Sequence, residues 1–336
     1  MTDTTPGRSC PLHYRYRPED MACAAPPHLQ TLEVLYVVGG LYGNPWALDS
    51  VLSMFEQERG RKRLVFNGDF HWFDAEPGLF SRVQRAVLAH EATRGNVETE
   101  LATADPAADA GCGCAYPDWV GDGVVERSNR MFTRLQRVAT PAQRAELAAL
   151  PMWLRADVGA LRLGIVHGDA TSLAGWGFAQ EHLRDPTHRA EAARWLARAD
   201  VQAFACSHTC LPVFQALGGP AAAPTGWVLN NGAAGMPNFR GHTAGLLTRV
   251  AVTPSAGPQT RLQVELGAGV FAEAMDIDID AAAWRARFLA LWPVGSDAHA
   301  SYFQRIVHGP DYEPADGVRD IDTGGPMHRA RSQLVR

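Results

Sequence analysis

Short apolar runs that close on glycine or a polar residue, separated by segments of helical period, leave this chain few architectures to adopt. The runs are VLYVV (34–38), RLVFN (63–67), LRLGIVH (161–167), VQAFACS (201–207) and GWVLN (226–230). Strand-like runs alternating with helices predict an α/β sandwich, because each sheet face needs a layer to cover it. Two further runs, TAGLLTRVAV (243–252) and TRLQVEL (260–266), flank a turn rich in Pro, Ser and Gly and predict a β-hairpin.

The helices announce their starts. Asn44-Pro45 sets a capping amide before a proline at the first helical position, where its missing N–H costs nothing. Leu48, Val51, Leu52 and Phe55 then share one face at helical spacing. Thr140-Pro141 and Asp185-Pro186 repeat the device, and Asp280 is positioned to cap AAAWRARFLALW. Residues 1–30 are polar and proline-containing and predict an arm lying on a core of residues 31–270. The Ala/Asp/Gly-rich ATADPAADAGCGCAYP predicts a surface loop inserted at about 99–122. Residues 271–336 predict a C-terminal helix and tail packed on the core, the last dozen forming a loose basic end.

Composition removes several classes of function. A net charge of −5 and a pI near 6.2 do not provide the basic surface that nucleic acid demands. No run reaches eighteen apolar residues, and the N-terminus has no apolar core of a secretion signal. Six cysteines in 336 residues then read as reduced thiols or metal ligands, and a soluble cytoplasmic protein is expected.

The chemistry gathers at the strand ends, where the loops of an open α/β sheet converge. Successive ends deliver Gly39-Gly40-Leu41-Tyr42-Gly43-Asn44, Gly68-Asp69, Gly95-Asn96, His167-Gly168-Asp169 and Ser207-His208-Thr209-Cys210. Asp69, Asn96, His167 and His208 form a mixed oxygen and nitrogen donor set, which suits Mn, Fe or Zn better than Ca or Mg. Singly, each is also an ordinary turn or core-edge residue. Their order is the informative feature.

In that order the chain resembles the calcineurin-like metallophosphoesterase superfamily. Five blocks carry the resemblance: GLYGN (40–44), NGDFHWFD (67–74), RGNVE (94–98), IVHGD (165–169) and SHTCLP (207–212), with LNNGAAGMP (229–237) as a sixth. The resemblance implies a four-layer αββα sandwich of two mixed β-sheets flanked by helices. It also implies hydrolysis of a small-molecule or phosphoprotein phosphoester with one or two Mn, Fe or Zn ions. One metal would be held by Asp69, Asn96, His167 and His208, and Asn231 would touch substrate.

The second metal's half departs from the family. Its Asp and His positions hold Gly40 and Tyr42, and its last His position holds Cys210. Tyr42 as a phenolate and Cys210 as a thiolate could still ligate a metal; equally, they could pack over an empty pocket. The usual general-acid histidine is Val97, which leaves Tyr42, His71 and Asp169 as stand-ins, none selected by spacing. Arg127 could clamp a substrate anion if its helix borders the cleft. Cys10, His13, Cys112 and Cys114 would make a separate structural zinc set if arm and inserted loop meet; Cys112 and Cys114 alone could be a redox pair. A catalytically silent relative that binds a ligand or partner is the alternative. A dinucleotide site at VVGGLYGN fails because its glycine pattern would need glycine at Val38.

Overall fold

The structure, a computed structural model, describes residues 5–8, 10–24, 27–103, 110–218, 226–255 and 257–320. The first half runs α1 (Pro18–Ala22), β1 (Leu29–Leu32), β2 (Val34–Val38), α2 (Pro45–Gln57), β3 (Lys62–Asn67), α3 (Pro77–Val87), β4 (Glu91–Thr93), α4 (Asn96–Ala102), α5 (Asp122–Gln136) and α6 (Pro141–Ala148). Next come β5 (Trp153–Val158), β6 (Leu161–Val166), α7 (Pro186–Ala199), β7 (Ala203–Cys206), β8 (Pro212–Leu217) and β9 (Gly226–Asn231). The chain ends in β10 (Gly245–Ala251), β11 (Thr260–Gly267), β12 (Val270–Ile277), α8 (Ala281–Leu291), α9 (Asp297–His308) and β13 (Val318–Arg319).

The strands make two mixed sheets, ordered β1-β5-β6-β7-β9-β8-β13 and β11-β12-β10-β2-β3-β4. The period of two along β2 shows how the layers stack. Val34, Tyr36 and Val38 pack outward with Leu48 and Val51 of α2 and Phe80 of α3. Leu35 and Val37 face inward onto Leu163, Ile165, Ala203 and Leu229 of the other sheet. That second sheet buries Val166, Phe204 and Val228 on its far side against Ala192, Trp195 and Leu196 of α7. The result is the four-layer αββα sandwich.

All four expected caps form. Asn44 Oδ1 accepts from the amides of Trp46 and Ala47, both at 3.1 Å, while Asp185, Asp280 and Thr140 cap α7, α8 and α6. Asn44 also donates from Nδ2 to Gly235 O at 3.0 Å, tying α2 to the loop after β9. Asn44→Ala is therefore expected to cost about 1–2 kcal/mol, the upper end for a cap, read from the urea midpoint. A loss under a few tenths would show that neither bond matters.

The expected hairpin is a correction. β10 does not pair with β11; β12 lies between them, antiparallel to both. β10 is buried throughout and requires a neighbour that tolerates burial on both faces, which the VFAEAMDI strand is. β11 alternates exposed and half-buried positions, the pattern of an edge strand. The tight turn falls instead at Gly267-Ala268-Gly269, all at positive φ.

Residues 29–32, where the expected arm meets the core, run parallel to β5 at the sheet edge, and Tyr16 Oη donates to Asp169 O at 2.6 Å. Part of the inserted loop (104–109) and the basic end (321–336) lie outside the described residues. No helix among the described residues is long and apolar enough to cross a membrane.

Candidate metal centre

Each sheet brings donors to one edge of the sandwich. Asp69 follows β3 and Asn96 opens α4 just after β4, so both come from the six-stranded sheet; His167 and His208 follow β6 and β7 of the other. One ligand atom each from Asp69, His167 and His208 lies within 4.8 Å of the others. Nε2 of His167 sits 3.4 Å from Asp69 Oδ2, 3.2 Å from Asn96 Oδ1 and 3.2 Å from His208 Nδ1. All four side chains are buried.

The outer atoms of the cluster settle what the inner ones are. His167 Nδ1 faces Asn67 O at 2.9 Å and His208 Nε2 faces Cys114 O at 3.1 Å, so the ring protons sit on those outer nitrogens. Asn96 Nδ2 donates to Cys112 O at 2.8 Å, which turns its Oδ1 inward. Two ring nitrogens, an amide oxygen and a carboxylate oxygen thus present lone pairs to one another. Buried acceptors facing acceptors are costly unless a positive charge lies among them, either a metal ion or a second proton on His167 Nε2. This donor set fits a borderline transition metal.

The electrostatics agree. Burial, then the adjacent His167 ring, push His208 down to about 3, so it stays neutral and able to ligate. Burial alone would raise the Asp69 carboxyl, yet His167 and His208 hold it below its ordinary range. Burial opposes charge on His167, but Asp69 outweighs it and raises the ring. The site asks for positive charge. Glu98, lifted by burial and then by Asp69 to about 7, accepts from the amides of Asp69 (2.8 Å) and Gly95 (2.9 Å) and so braces both loops.

The backbone is strained to achieve this. Asp69, Tyr42 and Cys210 all hold positive φ, at 49°, 54° and 60°, in a region costing non-glycine residues roughly 1–3 kcal/mol each. Gly68, at φ 72°, lies so close beneath His167 that any Cβ there would collide with the ring.

The residues at the positions expected for a second metal pack against one another. Tyr42 Oη and Cys210 Sγ are 2.7 Å apart, and the Tyr42 ring lies over Gly40, where a side chain would strike it. Arg305 donates to Cys210 O at 2.7 Å and to Pro237 O at 3.0 Å. Between these groups and Asp69 and His208 lies a cavity of about 40 Å³ walled by Trp72, Tyr116, Trp176 and Tyr302. Burial, then Cys210, raise the Tyr42 phenol well above its ordinary value, so it keeps its proton.

Other expected site residues lie elsewhere. His71 stacks on Phe80 with centroids 3.6 Å apart and pairs with Asp74 at 2.6 Å, inside the core. The Asp169 carboxylate is consumed by its own loop, accepting from Thr171, Ser172 and Gly177. Arg127 donates to Ser301 Oγ at 2.8 Å and does not line the cavity. Asn231 donates to Gly39 O and Leu246 O, bridging the sheets. The structural zinc set does not assemble: among the described residues the Asp69, His167, His208 group is the candidate cluster, and Cys10 Sγ bonds Ser172 Oγ at 3.2 Å. The cavity walls Trp72, Trp176, Tyr302 and Arg305 were missed. Trp72 lies within NGDFHWFD (67–74), whereas the others sit on distant loops and α9 with no pattern to flag them.

Solved structures share this fold. A hypothetical protein, PH1004, from Pyrococcus horikoshii OT3 aligns with 83% of this chain and 99% of its own at 16% identity and a TM-score of 0.55. A metallophosphoesterase from Sphaerobacter thermophilus aligns with 79% of this chain and 99% of its own at 13% identity and a TM-score of 0.46. No family model matches the chain, and no curated protein matches it. The likeness to PH1004 shows the two-sheet α/β sandwich and nothing finer. At these identities the likeness is one of fold, and the chemistry rests on the residues above.

Proposed function

We propose that this chain is a metal-dependent phosphoester hydrolase with an atypical centre, its secure cation held by Asp69, Asn96, His167 and His208. The observation carrying the reading is the convergence of four buried lone pairs from four strand ends. A bound Mn, Fe or Zn ion supplies Lewis-acid polarisation of a phosphoryl oxygen and acidification of a water. Asn67 O and Cys114 O keep the protons of His167 and His208 on the outer nitrogens, so the inner ones stay free to ligate. Trp72, Trp176 and Tyr302 exclude bulk water from the phosphorus. Tyr42, which keeps its proton at Oη on the cavity wall, is the proposed donor to the leaving oxygen. The small cavity favours small phosphoesters over phosphoproteins as substrates. Six free thiols fit a reducing, cytoplasmic setting.

The second reading is a silent relative that binds a ligand. It draws support from the Tyr42–Cys210 contact, which occupies the place where a second cation would need both groups. Elemental analysis of chelator-free protein, followed by assay on 4-nitrophenyl phosphate and bis(4-nitrophenyl) phosphate, separates them. The hydrolase reading expects about one metal per chain, as a closed donor set binds, and turnover of at least one ester that Tyr42→Phe slows. Stoichiometric metal without turnover supports the silent reading. Absence of bound metal after incubation with Mn, Fe and Zn defeats the hydrolase reading and leaves the silent one.

A further inference from the structure

The inserted segment carries two buried thiols against the metal centre. Cys112 and Cys114 are 0% and 8% exposed, and their sulfurs are 2.7 Å apart. A disulfide needs them closer by only about 0.7 Å. The glycine between them, at φ 66°, permits this turn, since a Cβ there would collide with the Tyr14 hydroxyl. The two cysteines also brace the centre through their carbonyls. Cys112 O accepts from Asn96 Nδ2, while Cys114 O accepts from both His208 Nε2 and Trp176 Nε1 (3.0 Å). Outer partners of this kind fix the orientation of ligands, and losing one typically costs metal affinity 10–100-fold.

We propose that Cys112 and Cys114 are a modification site, a redox pair that a small hydroperoxide oxidises to a Cys-Gly-Cys disulfide, loosening the hold on Asn96 and His208. The coupling to metal rests on the metal-site reading above; the thiol chemistry does not. Cys114 lines the cavity and is the more exposed of the two sulfurs, so it is the one assigned to meet the peroxide, although burial and then Cys112 raise its thiol above the ordinary range. It takes one oxygen to become a sulfenic acid, releasing water from hydrogen peroxide or the alcohol from an organic hydroperoxide; the Cys112 thiol then attacks that sulfur and expels the oxygen as water. Two thiols lose two electrons and two protons, and one hydroperoxide is reduced. Closing so short a ring re-sets the torsions that aim both carbonyls. A dithiol reductant reverses the step by exchange.

The test uses the full chain, reduced, desalted and exposed to hydrogen peroxide, then quenched, unfolded in denaturant, alkylated and digested. The peptide spanning Cys112 and Cys114 is expected to lose two hydrogens in mass and resist alkylation, both restored by dithiothreitol. Exposed Cys23 serves as the control for peroxide reaching the protein. In parallel, retention of bound zinc against a chelator is expected to fall about tenfold or more on oxidation in the parent chain and to hold steady in Cys112→Ser. Full alkylation of both sulfurs at a dose that oxidises Cys23 overturns the redox pair. Equal zinc loss in Cys112→Ser overturns the coupling and points to Cys210 or another thiol. The mass readout works with or without metal, so failure of the hydrolase reading is told apart from failure of this one.

Discussion

His208→Ala is expected to strip the centre of its cation and, with it, about a hundredfold or more of the hydrolysis. The ring supplies one of two imidazole nitrogens, at 3.2 Å from its neighbour, and is neutral because burial holds it there. Deleting it leaves two oxygens and one nitrogen, a poorer set for a borderline metal than for a hydrated hard one. The fold should survive: Cys114 O retains its bond from Trp176, and the side chain sits beyond the end of β7 rather than within a sheet. Metal content by elemental analysis and the urea midpoint therefore move independently. Undiminished metal in His208→Ala with an unchanged midpoint would sink the assignment of the centre.

Arg249→Ala is expected to be the most damaging single change to stability. Arg249 on β10 is 4% exposed and pairs with Glu273 at 2.6 Å and Glu58 at 2.7 Å. Glu273 is wholly buried, so removing the guanidinium strands a carboxylate in the sheet, a loss of about 3–5 kcal/mol. Ser255 N and Gln263 Nε2 still donate to Glu273 Oε1, which keeps the figure toward the lower end. The paired replacement Arg249→Met with Glu273→Met should recover most of it, because apolar substitutes for a buried ion pair are often close to neutral. Equal destabilisation in the single and double variants would show that packing, not the stranded charge, is what was lost.

What the sequence revealed and concealed follows from which atoms carry the signal. Asp69, His167 and His208 stood out because each lies just beyond an apolar run, at a strand end, whereas Asn96 follows the polar EATRG and showed only through the order of the blocks. The caps at Asn44 and Asp185 were legible because the cue is local, a polar residue ahead of proline. β5 and β8 went unread because WLRADV and PVFQAL carry charge or proline against the strand pattern. β12 was hidden by its alanines, and its insertion between β10 and β11 is a tertiary fact no local window contains. The bracing of Asn96 and His208 by Cys112 O and Cys114 O was invisible for another reason: carbonyls belong to every residue alike. His71 and Asp169 misled because a histidine or aspartate beside a motif looks the same whether it faces cavity or core.

The donors Asp69 and Asn96 hang from one leaf of the sandwich and His167 and His208 from the other. An ion gripped by all four would act as a rivet joining the two leaves, with its binding energy adding to cohesion of the whole molecule as RT ln(1 + [M]/Kd). Tight chelation should then lower the melting temperature of the entire chain rather than soften a single loop.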